Sequence, residues 1–459
     1  TLSEALVKDF YQKSEREELE HLTQDQMTAL EMKKVVDADD PEIKKPPMSN
    51  EEEQVLKETE ESAIYKDGRF SAKIPWIKGK RELIKNNYNW ERHRVEKMVR
   101  TLRKQPEKYQ MYIDKINAEV EKGYLETIED LTPDKGDVYY LMHLPVWRPD
   151  KVSTPCRIVV NASLQDHNGN SLNKAIYKGP DLTNRLLTVG MRFRKGETAF
   201  ITDVKEFFPQ IKLFEEDKDM FRFLWIDPNG KVKIFRYCRL MFGLNCSPFL
   251  AQFVCLMGAK MNKHTHPEAY NTLLHSRYVD DVDDSGKEED CVKAVKETQE
   301  VLEKTGVKIH KTLSNSDAVM LAVDQDARLK QWSENEPKPT TFVLGIFWDP
   351  NKDILKISTA NIPTTRIKTK RVFLKVLAGQ FDPFGFICAF MVIAKLILQK
   401  MWSKGITWDE ALPEDLEEEC NEWADQLKEL EQLEIPRHVV IGVVTSIHGF
   451  CDSSDIAMN

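Results

Sequence analysis

The chain has 459 residues, which is too long for one hydrophobic core and typical of about two to four domains. With 41% hydrophobic and 31% charged residues it has the composition of a folded globular protein, and its longest apolar run, residues 384–394, is too short to span a bilayer. The net charge of −9 argues against a nucleic-acid partner only if that charge is spread evenly.

The acidic charge is concentrated at the N-terminus. Residues 1–61 hold 18 acidic and 8 basic residues, whereas the remainder holds 57 acidic and 58 basic residues. Because the segment is Glu-rich and interrupted by prolines, we interpret residues 1–64 as an acidic extension of short helices and linker. Residues 78–108 hold 11 basic and 4 acidic residues, which predicts a basic helix that faces phosphates or, as the simpler alternative, only solvent.

The termini and the cysteines narrow the class of protein further. The first residues lack the charged-then-apolar pattern of a signal peptide, the first residue is not Met, and the sequence stops abruptly at Asn459, so we expect a fragment of a longer protein. The 8 cysteines include no C-x-x-C pair, which argues against a zinc knuckle or a redox motif and favours a reducing compartment.

The predicted elements mix helices and strands without a βαβ repeat, which indicates an α+β fold. The predicted helices are 91–123, a helical run that ends at 261, 288–305, and most of 366–433. The predicted strands are two within 137–162, one that enters a helix over 198–213, and then 230–237, a strand–turn–strand at 273–284, 341–348 and 352–358.

The segment Tyr278-Val279-Asp280-Asp281 is the sharpest local signal for chemistry. Neighbouring side chains of a strand point to opposite faces, but at a two-residue hairpin turn both carboxylates can project to one side. Two anions held that close repel each other unless a divalent cation offsets their charge. An exposed turn, where Asp is common, is an equally good interpretation of this segment alone.

A third carboxylate favours the metal interpretation. Asp203 ends the apolar strand of residues 200–204, where a lone Asp is more often a helix cap. Together with the hairpin it supplies carboxylates from two adjacent strands, an arrangement that holds two Mg²⁺ ions, or Mn²⁺ instead, for phosphoryl transfer. We therefore predict that Asp203, Asp280 and Asp281 are catalytic metal ligands.

The order of these motifs resembles the palm of reverse transcriptases. Asp203 matches the first catalytic Asp of that family, Asp280 and Asp281 match its Y-x-D-D pair, and the backbone of Val204 is implied as a further metal ligand. Residues 241–248 (MFGLNCSP) resemble the P-F-G-L-x-x-x-P segment, with Met in place of the first Pro. The resemblance implies a right-hand polymerase with fingers, a palm of antiparallel sheet backed by helices, and a helical thumb or connection.

The same resemblance implies residues that select the nucleotide. Arg157 lies in a segment similar to the fingers strand and would contact the triphosphate, while Asn161 stands where the family usually has Asp. Phe208 lies where the family keeps an aromatic ring that blocks a 2′-hydroxyl, so dNTPs would be preferred. The alternative for Phe208 is an ordinary core Phe.

Four further residues complete the predicted nucleotide site. Gln210 follows the aromatic residue, the ring of Phe242 would pack against the sugar, and Gly243 would let the backbone approach the nucleotide closely. Lys311 would protonate the departing pyrophosphate, although Thr312 replaces the usual Trp beside it and a surface lysine is the alternative.

Wider similarities are to BEL/Pao retrotransposon polyproteins, from about residue 65 to the end. Leu344 and Gly345 resemble the primer-grip hairpin, while residues 381–385 (FDPFG) and 408–410 (WDE) resemble BEL/Pao elements. The expected divisions are an acidic extension (1–64), N-terminal helices and fingers (65–197), palm (198–350), thumb or connection (351–440), and the start of an RNase H-like domain (441–459).

Two short motifs add no further activity. Residues 449–454 resemble the first strand of an RNase H-like domain, with Asp452 as its first metal ligand, so we expect no RNase H activity from this chain alone. Residues 284–286 (DSG) spell an aspartic-protease triplet, but no second triplet is evident in the sequence.

The expected function is DNA synthesis from a primer on an RNA or DNA template, with dNTPs as substrates. The protease, RNase H and integrase of the Pol polyprotein would lie outside this chain. We expect no membrane partner, and a location in a cytoplasmic retroelement particle or in the nucleus. The alternatives are a catalytically inactive, retroelement-derived nucleic-acid-binding protein and an RNA-templated RNA polymerase, which Phe208 disfavours.

Overall fold

The computed structural model describes residues 48–129, 132–147, 155–166, 168–334, 336–359 and 362–439. Most of the predicted acidic extension, and the whole predicted RNase H-like start with Asp452, lie outside the described residues. Within these ranges, no helix has both the length and the apolar character needed to cross a membrane.

The chain contains both helices and strands, and most of its strand pairs are antiparallel with helices packed on one face, as in an α+β fold. The α-helices are α1 Asn50–Ser62, α2 Tyr88–Leu102, α3 Pro106–Glu121, α4 Leu172–Ala175, α5 Leu186–Phe193, α6 Glu215–Lys218, α7 Ser247–Asn262, α8 Pro267–His275, α9 Glu288–Lys304, α10 Asp317–Leu321, α11 Lys370–Ala378, α12 Cys388–Ser403 and α13 Glu414–Glu429. The strands are β1 Ile64–Lys66, β2 Arg69–Ala72, β3 Leu125–Ile128, β4 Met142–Trp147, β5 Cys156–Asn161, β6 Thr198–Lys205, β7 Lys212–Leu213, β8 Arg222–Ile226, β9 Val232–Tyr237, β10 Arg277–Tyr278, β11 Asp281–Gly286, β12 Lys308–Ser314, β13 Thr341–Val343, β14 Ile346–Asp349, β15 Ile354–Lys356 and β16 Ile435–Pro436.

The central sheet has the strand order β10-β11-β6-β12, and its strand pairs are antiparallel. Its back face is covered by α7, α8 and α9, because Val204 and Val282 belong to the same buried cluster as residues of those helices. Strand β6 is buried at nearly every position, which explains its continuous apolar sequence. Asp203, near the end of the strand, is its one acidic residue.

Smaller sheets flank the central one. Strands β3, β9 and β8 form a three-stranded sheet, β4 and β5 form a two-stranded ribbon, and β1 and β2 pair with β7. In the ribbon Val146 pairs with Arg157, which fixes the position of that arginine along β5. The C-terminal helices α11, α12 and α13 pack around a hydrophobic cluster of their own.

Two predicted elements near the candidate site differ in the structure. The helix predicted after β6 is only a 3₁₀ turn, Phe208–Gln210, because Glu206 has a positive φ of +50° and Pro209 lies within the turn. The single strand predicted at 341–348 is the hairpin β13–β14, whose turn is Leu344-Gly345. Strand β15 pairs with β14, so these strands on either side of residue 350 belong to one four-stranded sheet, and the domain limits stay predictions.

Candidate active site

Strands β6 and β11 bring the first and third predicted carboxylates together. Asp203 and Asp281 are direct cross-strand partners in the antiparallel register, and the backbone N–H of Val204 donates to the carbonyl oxygen of Asp280 at 2.8 Å. Direct partners project from the same face of a sheet. The two carboxylates therefore share the front face, opposite the helices.

The second carboxylate lies in the turn of the hairpin. Tyr278 pairs with Asp281, so Val279 and Asp280 form a two-residue turn, as the sequence predicts. Val279 has a φ of +55°, a conformation that costs a non-glycine residue about 1–3 kcal/mol and is especially unfavourable for a β-branched one. Hairpin turns of this length favour glycine at such a position, so other contacts must hold Val279 in place.

Burial and mutual repulsion make the carboxylates resist ionisation. Burial raises the pKa of Asp281 to about 7, and the negative charges of Asp280 and Asp203 contribute to the shift. The pKa of Asp280 is also raised, first by burial and then by the charge of Asp203, while Lys311 and Arg157 oppose the shift. A nearby cation would remove most of this repulsion.

A lysine provides one such positive charge. The Nζ atom of Lys311 donates to Oδ2 of Asp203 at 2.5 Å, and Nε2 of His310 lies 3.6 Å from the same oxygen. Lys311 has a φ of +58° and lies where the pairing of β12 with β6 shifts register between His310 and Leu313. This bulge turns the Lys311 side chain towards the front face, which a regular strand would not do.

The residues present fit a divalent cation in their chemistry. They are hard carboxylate donors whose charged forms are disfavoured by burial and by one another, and an ammonium group already neutralises one of them. In the part of the chain that the structure describes, no group of three or more His, Cys, Asp or Glu side chains has the geometry of a formed metal site. A cation would therefore have to draw the carboxylates together, and it would meet the positive charge of the Lys311 ammonium at Asp203.

Three of the predicted nucleotide-binding residues form one aromatic and basic cluster. The ring centroids of Phe208 and Phe242 are 4.9 Å apart, and the Arg157 guanidinium carbon lies 6.0 Å from the Phe242 ring. Phe242 is 42% exposed, so its ring forms part of the surface next to the carboxylates. The charge of Arg157 is felt by Asp280, which connects this cluster to the hairpin.

Gly243 lies directly against strand β5, and its approach to a nucleotide stays a prediction. Its φ is +109°, and a Cβ atom there would lie 2.1 Å from the carbonyl oxygen of Val160 in β5. The backbone that approaches Gly243 closely in the structure is therefore that of the strand which carries Arg157. The amide nitrogen of Asn173 also donates to the Gly243 carbonyl oxygen at 3.0 Å.

Gln210 is not part of this cluster, contrary to the prediction. Its side chain is buried, its Nε2 donates to the carbonyl oxygen of Lys205 at 3.1 Å, and its Oε1 accepts from Nη1 of Arg69 at 3.0 Å. The 3₁₀ turn directs Phe208 and Gln210 to different sides. Gln210 therefore ties β6 to β2 and has no free group for a nucleotide.

The predicted primer-grip residues form the turn of the β13–β14 hairpin. Leu344 and Gly345 have φ values of +49° and +87°, and the missing Cβ of Gly345 leaves room for the ring of Phe381, which a Cβ would approach to 2.3 Å. Tyr278 packs against the cluster that contains Leu344, so this turn lies beside the carboxylate hairpin.

Two residues near the carboxylates had no predicted role. Asp283 lies on the same face of β11 as Asp281, its Oδ2 has no partner among the described residues, and burial followed by the charge of Asp281 raises its pKa well above the ordinary range. Its signal in the sequence is the repeat of two adjacent carboxylates, Asp283 and Asp284. Arg277, directly before Tyr278, is the other, and no local pattern in the sequence marks it as buried.

The triplet at 284–286 forms the end of β11. Asp284 accepts from Oγ1 of Thr272 at 2.7 Å, and Oγ of Ser285 donates to the carbonyl oxygen of Arg192 at 2.5 Å. These contacts give the triplet a structural role.

Comparisons with known proteins give two family matches. The family described as reverse transcriptase (RNA-dependent DNA polymerase) matches residues 147–314, and the family described as Pao retrotransposon-like RNaseH-like domain matches residues 369–459. No curated protein matches the chain. Among solved structures, a foamy viral protease–reverse transcriptase in complex with double-stranded DNA is 15% identical, with a TM-score of 0.47, and the match covers 69% of this chain and 47% of that one.

Proposed function

Because the chain carries the reverse transcriptase region of a Pao/BEL-type retrotransposon Pol protein, with an α+β polymerase fold, we propose that it extends a primer on an RNA or DNA template by two-metal nucleotidyl transfer. In this proposal the 3′-hydroxyl of the primer attacks the α-phosphate of a dNTP, and pyrophosphate leaves. The other activities of the Pol polyprotein would belong to segments outside this chain.

The cross-strand pairing of Asp203 with Asp281, beside Asp280, carries the proposal. It brings carboxylates from two strands to one face, and the raised pKa values of Asp280 and Asp281 favour a cation that would keep both of them ionised near neutral pH. Asp203, Asp280, Asp281 and the Val204 carbonyl would hold the ions. When bound, Mg²⁺ would activate the primer hydroxyl and neutralise charge on the phosphates.

The aromatic and basic cluster would bind and orient the dNTP. The guanidinium of Arg157 has the planar donors that suit phosphate oxygens. The exposed ring of Phe242 offers an apolar surface for the sugar, and the Phe208 ring behind it limits the space at C2′. Selection of dNTPs over rNTPs would then follow from shape alone.

Lys311 would act after the nucleotide binds. In the structure its ammonium is paired with Asp203 through one of its three N–H donors, and its side chain is more than half exposed. We include in the proposal that this ammonium donates a proton to the departing pyrophosphate.

Primer extension by the purified chain on RNA and DNA templates, with dNTPs and Mg²⁺ or Mn²⁺, tests the proposal. We expect extension on at least one template. A protein that binds primer–template but adds no nucleotide would instead be the inactive nucleic-acid-binding protein, and incorporation of rNTPs alone would indicate an RNA polymerase.

A further inference from the structure

A buried arginine lies directly behind the turn that carries Asp280. Arg277 is 1% exposed, and its Nη1 donates to the carbonyl oxygen of Val279 at 2.8 Å. Its Nε has no hydrogen-bond partner among the residues that the structure describes. A buried guanidinium is costly unless it is paired, so a position that leaves one donor unused calls for an explanation.

The register of the hairpin places this guanidinium on the back face. Arg277 is the cross-strand partner of Val282, so both side chains project away from the face that Asp281 occupies. Val282 and Cys255 are both buried there, and the charge of Arg277 acts on the Cys255 thiol, which places the arginine against helix α7. Within the described ranges no carboxylate forms a hydrogen bond or salt bridge with Arg277, whose side chain bonds to the Val279 carbonyl instead.

Both carbonyl groups of the turn are held from outside it. The Val279 carbonyl accepts from Arg277, and the Asp280 carbonyl accepts from the backbone N–H of Val204 in β6. The second bond belongs to the sheet and would exist with any side chains, whereas the first depends on the arginine alone. The peptide that it fixes follows the residue with the unfavourable φ of +55°.

We propose that Arg277 is a positioning residue, which holds Val279 in its left-handed conformation and so keeps Asp280 and Asp281 directed to one cation site. This inference rests on the proposed function. The arginine lies on the face opposite Asp281 and acts through its hydrogen bond to the backbone of the turn, while its positive charge also acts on Asp280. Losing it lets Val279 relax to a negative φ, which rotates the following peptide and moves the Asp280 carboxylate.

The test compares Arg277→Met with Arg222→Met as a matched control. Arg222 is also a buried arginine in a strand, but it pairs with Asp219 away from the site, and Asp219 keeps Arg236 as a second partner. The readouts are the rise in melting temperature during a Mn²⁺ titration without substrate, and kcat and KM for dNTP in primer extension. Arg277→Met should need roughly 10-fold more Mn²⁺ for half of the shift and lose about 10- to 100-fold in kcat, with KM for dNTP little changed.

A second substitution separates positioning from a general loss of stability. Glycine adopts a positive φ without strain, so Val279→Gly in the Arg277→Met background should restore most of the Mn²⁺ response and of kcat. Arg277→Lys, which keeps a donor but not the planar fork, should be intermediate. Arg222→Met should leave the Mn²⁺ response and kcat near the wild-type values.

Three outcomes overturn the inference: Arg277→Met with an unchanged Mn²⁺ response, equal losses in both arginine variants, or no recovery with Val279→Gly. The Mn²⁺ titration needs no polymerisation. A wild-type protein that binds Mn²⁺ but does not extend primers would therefore overturn the proposed function and leave the inference on the turn to be decided by the titration.

Discussion

The charges of single residues determine the ionisation of the carboxylates in the candidate site and its affinity for a cation. In the structure Lys311 satisfies Asp203, whereas Asp280 and Asp281 are left with raised pKa values. A divalent cation bound at Asp203 would therefore compete with the Lys311 ammonium for the negative charge of that carboxylate. Before any metal ion binds, the charge of Asp203 is therefore already neutralised by Lys311.

Removing the lysine should strengthen cation binding. The Lys311 side chain is more than half exposed, so its pair with Asp203 is worth no more than about 1 kcal/mol. We expect Lys311→Met to lower the Mn²⁺ concentration for half of the thermal shift by about 2- to 5-fold. Lys308→Met, at the exposed start of the same strand, is the control and should change nothing. A higher Mn²⁺ requirement for Lys311→Met would count against the competition.

Phe208 should control the choice of sugar. Phe208→Ala removes the ring that lies behind Phe242, and we expect the preference for dNTPs over rNTPs, measured as the ratio of kcat/KM, to fall by at least about 10-fold. Phe214→Ala removes a partly exposed ring outside the site, which lies 5.5 Å from Nζ of Lys73. This control should keep the wild-type ratio. Equal ratios in both variants would contradict the steric gate.

Some of these residue positions could be predicted from the sequence and others could not. The meeting of Asp203 with the hairpin of Asp280 and Asp281 was predictable, because carboxylates at a strand end and in a tight turn interrupt apolar sequence, while their role as metal ligands stays a prediction. The burial of Gln210 was not, because it depends on a 3₁₀ turn and on Arg69, which is distant along the chain. The ion pair of Lys311 also depends on a bulge that no local pattern indicates.

At the scale of elements, the fit of β5 against the loop at 241–243 positions Arg157. We expect Gly243→Ala to lower the melting temperature and to raise KM for dNTP, because the new Cβ would collide with the Val160 carbonyl. Gly230→Ala is a matched control, since Gly230 also has a positive φ of +81° but no atom within 4 Å of the place a Cβ would take. The control should show only the conformational cost, about 1 kcal/mol, without a change in KM. Identical effects in both variants would remove this role of Gly243.

Helix α2 carries a buried acid whose ionisation should weaken the fold. Burial raises the pKa of Glu91 from 4.5 to about 7, partly opposed by Arg94. Because the folded protein holds this proton more tightly than the unfolded chain, the free energy of unfolding should fall as pH rises from 4.5 to about 7. The full effect is on the order of 3 kcal/mol.

Glu91→Gln should remove that pH dependence. We expect it to raise the melting temperature relative to wild type by more at about pH 8 than at about pH 5, since the buried charge is present only at the higher pH. Glu121→Gln, an exposed change at the end of α3, should alter neither value appreciably. A larger gain at the lower pH would show that Glu91 is not the group responsible.

Two elements are not predicted by local sequence patterns, each for its own physical reason. Strand β8 is buried at all of its residues, so its sequence RFLWI lacks the alternation that identifies a half-exposed strand. Periodicity alone predicts one strand in place of the β13–β14 hairpin, because Leu344 occupies a turn position that normally favours glycine or asparagine. Where one face is exposed, as in β9, the alternating pattern predicts the strand correctly.

At the scale of the molecule, a third hydrophobic cluster joins the central sheet to the C-terminal part. It includes Ile201 of β6 and Leu344 of the hairpin turn, with Phe384 packed against it. The buried side chain of Arg437 adds a polar connection, because it binds Asp353 and also donates to the carbonyl oxygen of Phe193 at the end of α5. Residues from both regions of the chain that match a family therefore pack together next to the candidate site.

Whole-molecule features are predicted unevenly by the sequence. The α+β class follows from the mixed pattern, and the mostly helical stretch after residue 366 is found as α11, α12 and α13. The domain limits stay predictions, as does the proposal that the basic stretch around α2 faces phosphates; Lys97 and Arg100 are exposed there. A sheet formed by residues distant in sequence, such as Leu355 and Ile435, cannot be inferred from local periodicity.

The most direct test of the account is single-nucleotide incorporation by carboxylate variants under matched conditions. Asp203→Asn and Asp280→Asn should each lower the rate by at least about 100-fold, because each removes a charge that holds the ions. Asp284→Asn makes the same change on the opposite face of β11, where its oxygen can still accept from Thr272, and should keep nearly the full rate. Full activity in either of the first two variants would contradict the account.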